Sequence, residues 1–433
     1  MDAVNKKTIQ INIQHLTRAE GHGNILVDYR NGKLKKCALE IVEAPRFFEA
    51  LMLGKPYQQV SHIASRICGI CAVTHATASL RACENALGIL PDPQTVQLRK
   101  LNILGEILDS HILHVYMLVA PDLLNVQSIV PLASSSPELV LRALKMKKVA
   151  GELCQIIGGR HTHPVSMITG GFTHFPSKAS LVELYDRLVD LRQELDATVD
   201  TFQGLHFPDF ENDTEYLALH AENEYCFLDG EIVSSDGGTW PIENYMDVTN
   251  EAVVDHSTAK HSHNQRQSFM VGALARFNIN HTYLLPRALS AASALDLKPK
   301  CVNPYLNSVA QIVEIVHCVE EAIAILDQLT HDDITADDPV KPQIASGEGV
   351  GACEAPRGTL YHHYVIQNGT ISFANCITPT AQNLANIESD MRLLVQQSCG
   401  LSKETLHLRL EMLVRAYDPC ISCSTHALEV QFV

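Results

Sequence analysis

Two short stretches near opposite ends of the chain carry cysteines at the spacing of metal ligands. Each is a C-x-x-C pair with a histidine a few residues later: Cys68, Cys71 and His75 in "RICGICAVTH", and Cys420, Cys423 and His426 in "DPCISCSTH". Two thiolates three positions apart can bind one metal ion. Soft thiolate ligands select zinc, nickel, copper or iron–sulfur centres. Two such pairs predict a fold that brings the chain ends together around four sulfurs.

The cysteine pairs also have simpler explanations. A structural zinc ion held by four cysteines accounts for both pairs without any redox role, and a single pair can be a redox dithiol or an inert buried pair. The total of 13 cysteines is odd, which argues against a disulfide framework. The remaining nine show no metal-ligand spacing and are predicted to be mostly buried small apolar residues: Cys37, Cys83, Cys154, Cys226, Cys301, Cys318, Cys353, Cys376 and Cys399.

Five further stretches hold polar residues that could serve a metal centre. They are "RAEGHG" with Arg18, Glu20 and His22, "PRFFEA" with Arg46 and Glu49, "GGRHTHP" with Arg160 and His163, "EAPRGTLYHH" with Arg357, and "NCITPTAQN" with Cys376 and Thr380. Each residue alone has an ordinary explanation, such as a surface carboxylate or an arginine paired with any acid. Only their combination with the cysteine pairs suggests a shared site.

The composition excludes several classes of function. The net charge of −16 argues against non-specific binding of nucleic acid and against a polybasic membrane anchor. The chain has no run of 18 apolar residues, and "MDAVNKKTIQINIQ" has no apolar signal core. We therefore expect a cytoplasmic protein without direct membrane insertion, although a subunit exported with a partner would need no signal of its own.

The sequence patterns of the segments that carry these residues predict an α+β fold that is mostly α. A small antiparallel sheet is expected over 1–45, a helical core of long bundled helices over 46–204, an α+β insertion over 205–265, and a helical core with the C-terminal metal-ligand segment over 266–433. We expect the four segments to form a single domain. Apolar spacing predicts long helices over 72–88, 95–118, 138–158, 178–200, 305–329, 381–398 and 402–417. "GTLYHHYVIQNGTISFANC" predicts a hairpin with its turn at "NG".

The motifs, taken in chain order, resemble those of the large, catalytic subunit of nickel–iron hydrogenases. They are RAEGH, R-x-C-G-x-C-x-x-x-H, GGR-x-x-HP, APRG, P-T-x-x-N and DPC-x-x-C-x-x-H. "EAPRFFE" and "DSHILH" are similar to the cytosolic multisubunit group. The resemblance implies an oxidoreductase that cleaves dihydrogen reversibly and heterolytically, with a metal that accepts the hydride and a base that accepts the proton.

The resemblance also implies a role for each cysteine of the two pairs. Cys68 and Cys420 would bind nickel terminally, whereas Cys71 and Cys423 would bridge nickel to iron. The iron would carry carbon monoxide and cyanide, which maturation proteins install.

Further residues take roles on the same basis. Cys420 can act as the base, Glu20 matches the proton-relay glutamate, and Arg357 matches the guanidinium over the metals. Asp418 matches the family's aspartate beside the first C-terminal cysteine. His75 would hydrogen-bond a cysteine sulfur, and Thr380 would donate to a cyanide. A magnesium site would be formed by Glu49, the backbone carbonyl of Cys376 and His426.

Electrons need a route out of the chain, and its other cysteines show no iron–sulfur ligand pattern. The resemblance implies a small subunit with iron–sulfur clusters, together with flavin or further iron–sulfur subunits. The electron acceptor stays open between nicotinamide, a deazaflavin, ferredoxin and a disulfide. Ala427–Val433 extend past His426, where the family is usually trimmed, so the chain is either uncleaved or of a subgroup without cleavage.

Two alternatives remain beside the enzyme. One is a non-catalytic scaffold subunit of a redox complex that is stabilised by a four-cysteine zinc site. The other is a relative of the quinone-site subunit of respiratory complex I, which lacks the cysteine pairs that this chain has.

Overall fold

The computed structural model of the chain describes residues 8–31, 33–331, 334–398 and 400–425. Three features singled out from the sequence lie outside these residues: Cys399, His426 and the tail that follows His426.

The N-terminal segment forms the predicted antiparallel sheet. Its strands are β1 (Ile9–Ile13), β2 (Gly23–Arg30) and β3 (Lys33–Ile41), with β2 in the middle. Buried and exposed residues alternate along β1, as expected for a strand with one face on the core. The segment between β1 and β2 carries Glu20, so the sheet places this residue.

Helices make up most of the fold, as predicted. The α-helices of the described residues are α1 (Phe48–Met52), α2 (Tyr57–Ala64), α3 (Ala72–Leu87), α4 (Pro93–Ile112), α5 (Ala120–Leu123), α6 (Ile129–Ser135), α7 (Pro137–Gly158), α8 (Lys178–Asp190), α9 (Arg192–Gln203), α10 (Tyr245–Thr249), α11 (Ala273–Asn280), α12 (Pro286–Ala294), α13 (Asn307–His331), α14 (Pro379–Gln397), α15 (Lys403–Ala416) and α16 (Ile421–Ser424). A π-helical segment, Leu113–Val119, joins α4 to α5.

One predicted helix is divided. The segment 178–200 forms α8 and α9, which meet at Leu191. The N–H of Leu191 is shared between the carbonyls of Arg187 and Leu188, at 3.2 and 3.1 Å, which tightens the last turn of α8.

The remaining strands of the described residues form three further sheets. They are β4 (Met167–Ile168), β5 (Gly171–Phe172), β6 (Glu215–His220), β7 (Glu231–Ser234), β8 (Thr239–Trp240), β9 (Phe269–Met270), β10 (Gly347–Ala355), β11 (Gly358–Gln367) and β12 (Thr370–Ile377). The order β8-β7-β6-β9 confirms strands in and just after the predicted insertion, and β11 with β12 is the predicted hairpin.

The sequence missed β10, which pairs with β11 and packs on α3. Its glycine-rich sequence is typical of a loop, but each glycine allows the backbone of β10 to approach the backbone of α3 closely. A Cβ at Gly349 would lie 2.3 Å from the nitrogen of Ala86, and one at Gly351 would lie 2.1 Å from the carbonyl oxygen of Ala78. The glycines of β10 therefore let α3, which carries Cys71 at its start, lie directly against the sheet.

The continuous helix Pro93–Leu123 is long and apolar enough to cross a membrane by length and composition alone. Within it, 78% of the most apolar window is buried inside the protein, so the helix serves as a core element. It belongs to a large apolar cluster that includes Ile9 of β1, α13, α15 and Cys423. The observed architecture confirms the α+β, mostly α, fold, and the division into four segments of one domain stays a prediction.

Candidate metal centre

The four cysteines of the two C-x-x-C pairs converge in the structure. Cys68 lies in the turn after α2 and Cys71 at the start of α3, whereas Cys420 precedes α16 and Cys423 lies within it. The Sγ atoms of Cys68 and Cys420 are 3.4 Å apart, those of Cys71 and Cys423 are 3.5 Å apart, and those of Cys420 and Cys423 are 2.7 Å apart. All four sulfurs lie within 4.8 Å of one another. The two chain ends therefore meet, as the sequence predicted.

The spacing of the sulfurs fits metal binding. With metal–sulfur bonds of about 2.3 Å, two ligands of one ion lie at most about 4.6 Å apart. Each cysteine is at most 5% exposed. Hydrogen bonds from the other thiols, that of Cys420 first, lower the pKa of Cys68 well below its ordinary value. Its hydrogen bond to Cys420 raises the pKa of Cys71, and burial raises that of Cys423. The thiolate form is therefore favoured at Cys68 alone. Deprotonation of all four cysteines requires nearby cations.

Arg357 and Asp418 lie together beside the cysteines. The Nε atom of Arg357 donates to the carbonyl oxygen of Asp418 at 2.7 Å, and Nη2 donates to Oδ1 at 2.9 Å. The third nitrogen, Nη1, is buried and has no hydrogen-bond partner within the described part of the chain. Burial opposes the charge of Arg357, but Asp418 and the cysteines, Cys420 first, raise the pKa of the guanidinium well above its ordinary value. One buried N–H group is therefore left to donate to a bound group.

Asp418 is itself held by residues that the sequence did not reveal. Gln311 of α13 donates to Oδ2 of Asp418 at 3.2 Å, and its side-chain oxygen lies 2.5 Å from Nδ1 of His114. The Nε2 atom of His114 lies 2.7 Å from the carbonyl oxygen of Arg415. These contacts fix an aspartate whose φ of 51° is in the left-handed region. Nothing in the local sequence around α13 indicates this role.

Glu20 contacts the loop between the two C-terminal cysteines. Its carboxylate accepts from the Oγ of Ser422 at 2.5 Å and from the N–H of Ser422 at 3.1 Å. The N–H of Ile421 donates to the carbonyl oxygen of Glu20 at 3.1 Å, and Glu20 and Cys420 form a parallel β-bridge. The structure thus brings Glu20 next to the cysteine segment.

Thr380 and His75 each contact the backbone of one cysteine of the cluster, Cys420 and Cys71 respectively. The hydroxyl of Thr380, in the first turn of α14, accepts from the N–H of Cys420 at 2.8 Å, which leaves its proton available for donation. The Nδ1 atom of His75 lies 3.0 Å from Nε2 of His362, and the Nε2 atom of His75 is buried with no partner in residues 8–31, 33–331, 334–398 and 400–425. Burial lowers the pKa of His75 to about 4, so the ring is neutral. The predicted hydrogen bond from His75 to a sulfur stays a prediction.

Glu49 and Cys376, the described members of the predicted magnesium site, are neighbours. Glu49 accepts from the N–H of Cys376 at 2.8 Å. Burial raises the pKa of Glu49 to about 7, with a smaller opposing effect from Lys260. A partly buried carboxylate with this pKa is stabilised in its charged form by a cation. The third predicted ligand, His426, lies outside the described residues.

Glu106 of α4 is another residue that sequence reasoning missed. Its carboxylate accepts from the N–H groups of Val73 and Thr74, at 2.5 and 3.0 Å, in the first turn of α3. The N–H groups in the first turn of a helix have no partner within the helix. Cys71 is the residue that precedes α3. Burial raises the pKa of Glu106 to about 8. The residue fixes the start of α3 and hence Cys71.

The remaining cysteines behave largely as predicted. Seven of them are buried: Cys37, Cys83, Cys154, Cys226, Cys318, Cys353 and Cys376. Cys301 is only partly buried.

Comparisons with known proteins agree with this site. The family model described as nickel-dependent hydrogenase matches residues 46–140 and 242–426. Sulfhydrogenase 1 subunit alpha of Pyrococcus furiosus is 35% identical over 428 residues, which cover 98% of this chain and 99% of that protein. The NAD-reducing hydrogenase HoxS subunit beta of Cupriavidus necator is 28% identical over 465 residues, which cover 96% of this chain and 94% of that protein.

Solved structures have the same fold. An NAD+-reducing NiFe-hydrogenase in the H2-reduced state is similar with a TM-score of 0.86 and 27% identity, over 96% of this chain and 99% of that chain. The Ni-Fe-Se hydrogenase from D. vulgaris Hildenborough, at 22% identity and a TM-score of 0.78, shares the fold over 97% of this chain and 100% of that chain.

Proposed function

The chain belongs to the nickel-dependent hydrogenase family, and we propose that its four clustered cysteines hold a nickel–iron centre at which dihydrogen is split reversibly into protons and electrons. The chain is the catalytic subunit of a nickel–iron hydrogenase, and its relatives are subunits of hydrogenases of the cytosolic multisubunit group.

The observation that carries the proposal is the convergence of the two cysteine pairs next to unpartnered buried donors. Four sulfurs lie within 4.8 Å of one another. Nη1 of Arg357 and Nε2 of His75 are buried and find no hydrogen-bond partner in the part of the chain that the structure describes. A structural zinc ion would need only the four thiolates. The scaffold alternative is not favoured, because the chain matches the hydrogenase family over most of its length.

The residues around the cysteines divide the work of the reaction. When bound, the nickel–iron pair supplies the electron-accepting partner in heterolytic cleavage. The thiolate of Cys420 would accept the proton, and the β-bridge between the backbones of Cys420 and Glu20 supports Glu20 as the next carrier. Glu20 then passes the proton outward, since a carboxylate held within hydrogen-bond reach is an effective proton carrier.

Arg357 and Thr380 would hold the diatomic ligands of the iron. We propose carbon monoxide and cyanide for these ligands, which maturation proteins would install. The free Nη1 of Arg357 and the free proton of Thr380 are the donors that a cyanide nitrogen can use. Asp418 keeps the guanidinium in place through two hydrogen bonds. A lysine could not reproduce this fork of donors.

A magnesium ion would be held by Glu49, the carbonyl oxygen of Cys376 and His426. Magnesium prefers oxygen ligands and keeps several waters, so few protein ligands suffice. The hydrogen bond from the N–H of Cys376 to the partly buried carboxylate of Glu49, whose pKa is raised to about 7, supports this proposal.

The electrons would leave through a small subunit that carries iron–sulfur clusters. Among the described residues, the cysteines outside the centre do not form a group that could bind an iron–sulfur cluster. Further flavin or iron–sulfur subunits would complete a cytoplasmic complex.

Infrared spectroscopy with metal analysis of the purified native complex tests the proposal. We expect absorption bands of iron-bound carbon monoxide and cyanide, and nickel in the preparation. Cys420→Ser should lose both, whereas Cys301→Ser, a partly buried cysteine outside the centre, should keep both. Zinc alone, without these bands, would establish the scaffold instead.

A further inference from the structure

A second group of possible metal ligands lies outside the cysteine centre. His256 and His261 come from the segment between α10 and β9, and Glu388 comes from α14. One ligand atom from each of the three lies within 4.8 Å of the others. None of them belongs to the predicted nickel–iron or magnesium ligands.

The segment that carries the two histidines is held in place by backbone hydrogen bonds. The backbones of Ala252 and His261 exchange two hydrogen bonds of 2.8 and 2.9 Å. Between the histidines, the N–H of Thr258 donates to the carbonyl oxygen of Ile41 at 3.1 Å, and its hydroxyl lies 2.7 Å from the carbonyl oxygen of Glu43. Both histidines are thus presented from a turn that is fixed to the end of β3.

Glu388 is equally well fixed from the other side. It is 2% exposed and accepts from the N–H of Leu39 in β3 at 3.0 Å. The same oxygen lies 2.6 Å from Nε2 of His256, and the other oxygen accepts from Arg392 at 2.7 Å. Arg392 is 52% exposed, so its side chain can turn to solvent when a cation binds.

His261 is the member that a simple ion-pair network does not explain. Its Nε2 atom is buried and has no hydrogen-bond partner among the described residues. A buried ring nitrogen without a partner costs free energy, which a ligand at that position would recover. The ring of His261 lies 5.5 Å from that of His256 in an edge-to-face arrangement.

We propose that His256, His261 and Glu388 bind one divalent transition-metal ion of the zinc class. Two imidazoles and one carboxylate suit zinc and its neighbours, whereas magnesium and calcium prefer all-oxygen sites. Metal–ligand bonds of about 2.0–2.2 Å place tetrahedral ligands roughly 3.3–3.6 Å apart, which requires only small movements here. The side chain of His256 is 27% exposed, which leaves a fourth position for water and a path for the ion.

The ion would act as a structural clamp. It would join α14 to the turn that is fixed on the N-terminal sheet. Thr380, in the first turn of α14, accepts a hydrogen bond from the N–H of Cys420. A bound ion would therefore stabilise the position of α14 between the sheet and the cysteine centre.

His261→Gln is the decisive variant, because removal of an unpartnered nitrogen costs no hydrogen bond in a metal-free cluster. The native complex, purified without a polyhistidine tag, is compared with this variant and with His263→Gln, which alters an exposed histidine two residues away. Elemental analysis should find one zinc-class equivalent per chain fewer in His261→Gln and no change in His263→Gln. Equal metal content in all three would overturn the proposal.

A second measurement does not depend on the metal acquired during expression. After a chelator treatment that removes zinc, added Co2+ should produce ligand-field absorption of a tetrahedral site in the wild type and in His263→Gln. Adding zinc should raise the Tm of these two proteins by several degrees and leave His261→Gln unchanged. An equal response, or no response, in wild type and His261→Gln would show that the cluster is only an ion-pair network. Neither readout uses hydrogen turnover, so the result is separate from the fate of the nickel–iron proposal.

Discussion

Glu20→Gln separates a proton-carrying role of this residue from a structural one. In the structure, one carboxylate oxygen accepts from the N–H of Ser422 and the other accepts from its Oγ. A glutamine can keep both contacts, because its oxygen accepts from the N–H while its amide donates to the hydroxyl oxygen, which is also an acceptor. The variant therefore preserves the geometry and removes only the ability to take up a proton.

The expected magnitudes distinguish the two roles. Replacing two charge-assisted hydrogen bonds with neutral ones costs about 1–2 kcal/mol of stability at most. Loss of a positioned general acid–base group lowers turnover by about 10²- to 10⁴-fold, which corresponds to roughly 3–5 kcal/mol in the barrier. We thus expect a large kinetic effect with a small change in Tm and unchanged nickel content.

Hydrogen-dependent dye reduction and hydrogen–deuterium exchange with solvent measure the effect. Glu40→Gln is the matched control, because Glu40 pairs with Lys36 on the outer part of β3, at 2.8 Å. It should retain turnover within about twofold, since surface ion pairs contribute little. Turnover of Glu20→Gln close to that of the wild type would refute the proton-relay role, and loss of nickel would make Glu20 a structural residue.

Three further variants test the site and the fold. Cys420→Ser should abolish hydrogen turnover and release nickel, as measured by dye reduction and elemental analysis; normal activity would contradict the assigned ligand. Arg276→Met leaves Glu314 buried without its cation and should lower the free energy of unfolding by about 3–5 kcal/mol in urea titrations, whereas the half-exposed Arg266→Met should change it by less than about 1 kcal/mol. Burial raises the pKa of Asp390 from 3.8 to about 6, so the folded state binds the extra proton and stability should fall by about 2 kcal/mol as pH rises from 4 to 6. Asp390→Asn should lack this pH dependence.

The fold was predictable wherever the sequence has a clear period. Long helices such as α7 and α13 and the strands of the N-terminal sheet match the predicted segments. The strand β10 was not predictable, because the reason for its glycines lies in a distant helix. Gly351 must admit the backbone of Ala78 in α3, and a local pattern does not contain that contact.

The site was predictable only for residues that belong to ordered motifs. The cysteine pairs and Arg357 lie together as expected from their motifs. The residues that hold them, such as Gln311 and Glu106, sit inside apolar helices where a polar residue has many explanations. Their partners lie far away in the chain, so only the folded structure identifies them.

X-ray absorption at the nickel edge of the purified native complex tests the central claim most directly. We expect nickel surrounded by sulfur ligands with a neighbouring iron. This signal should be lost in Cys68→Ser and in Cys420→Ser, because the ligands come from both ends of the chain. Nickel without sulfur ligands, or zinc in place of nickel at the four cysteines, would contradict the proposed nickel–iron centre.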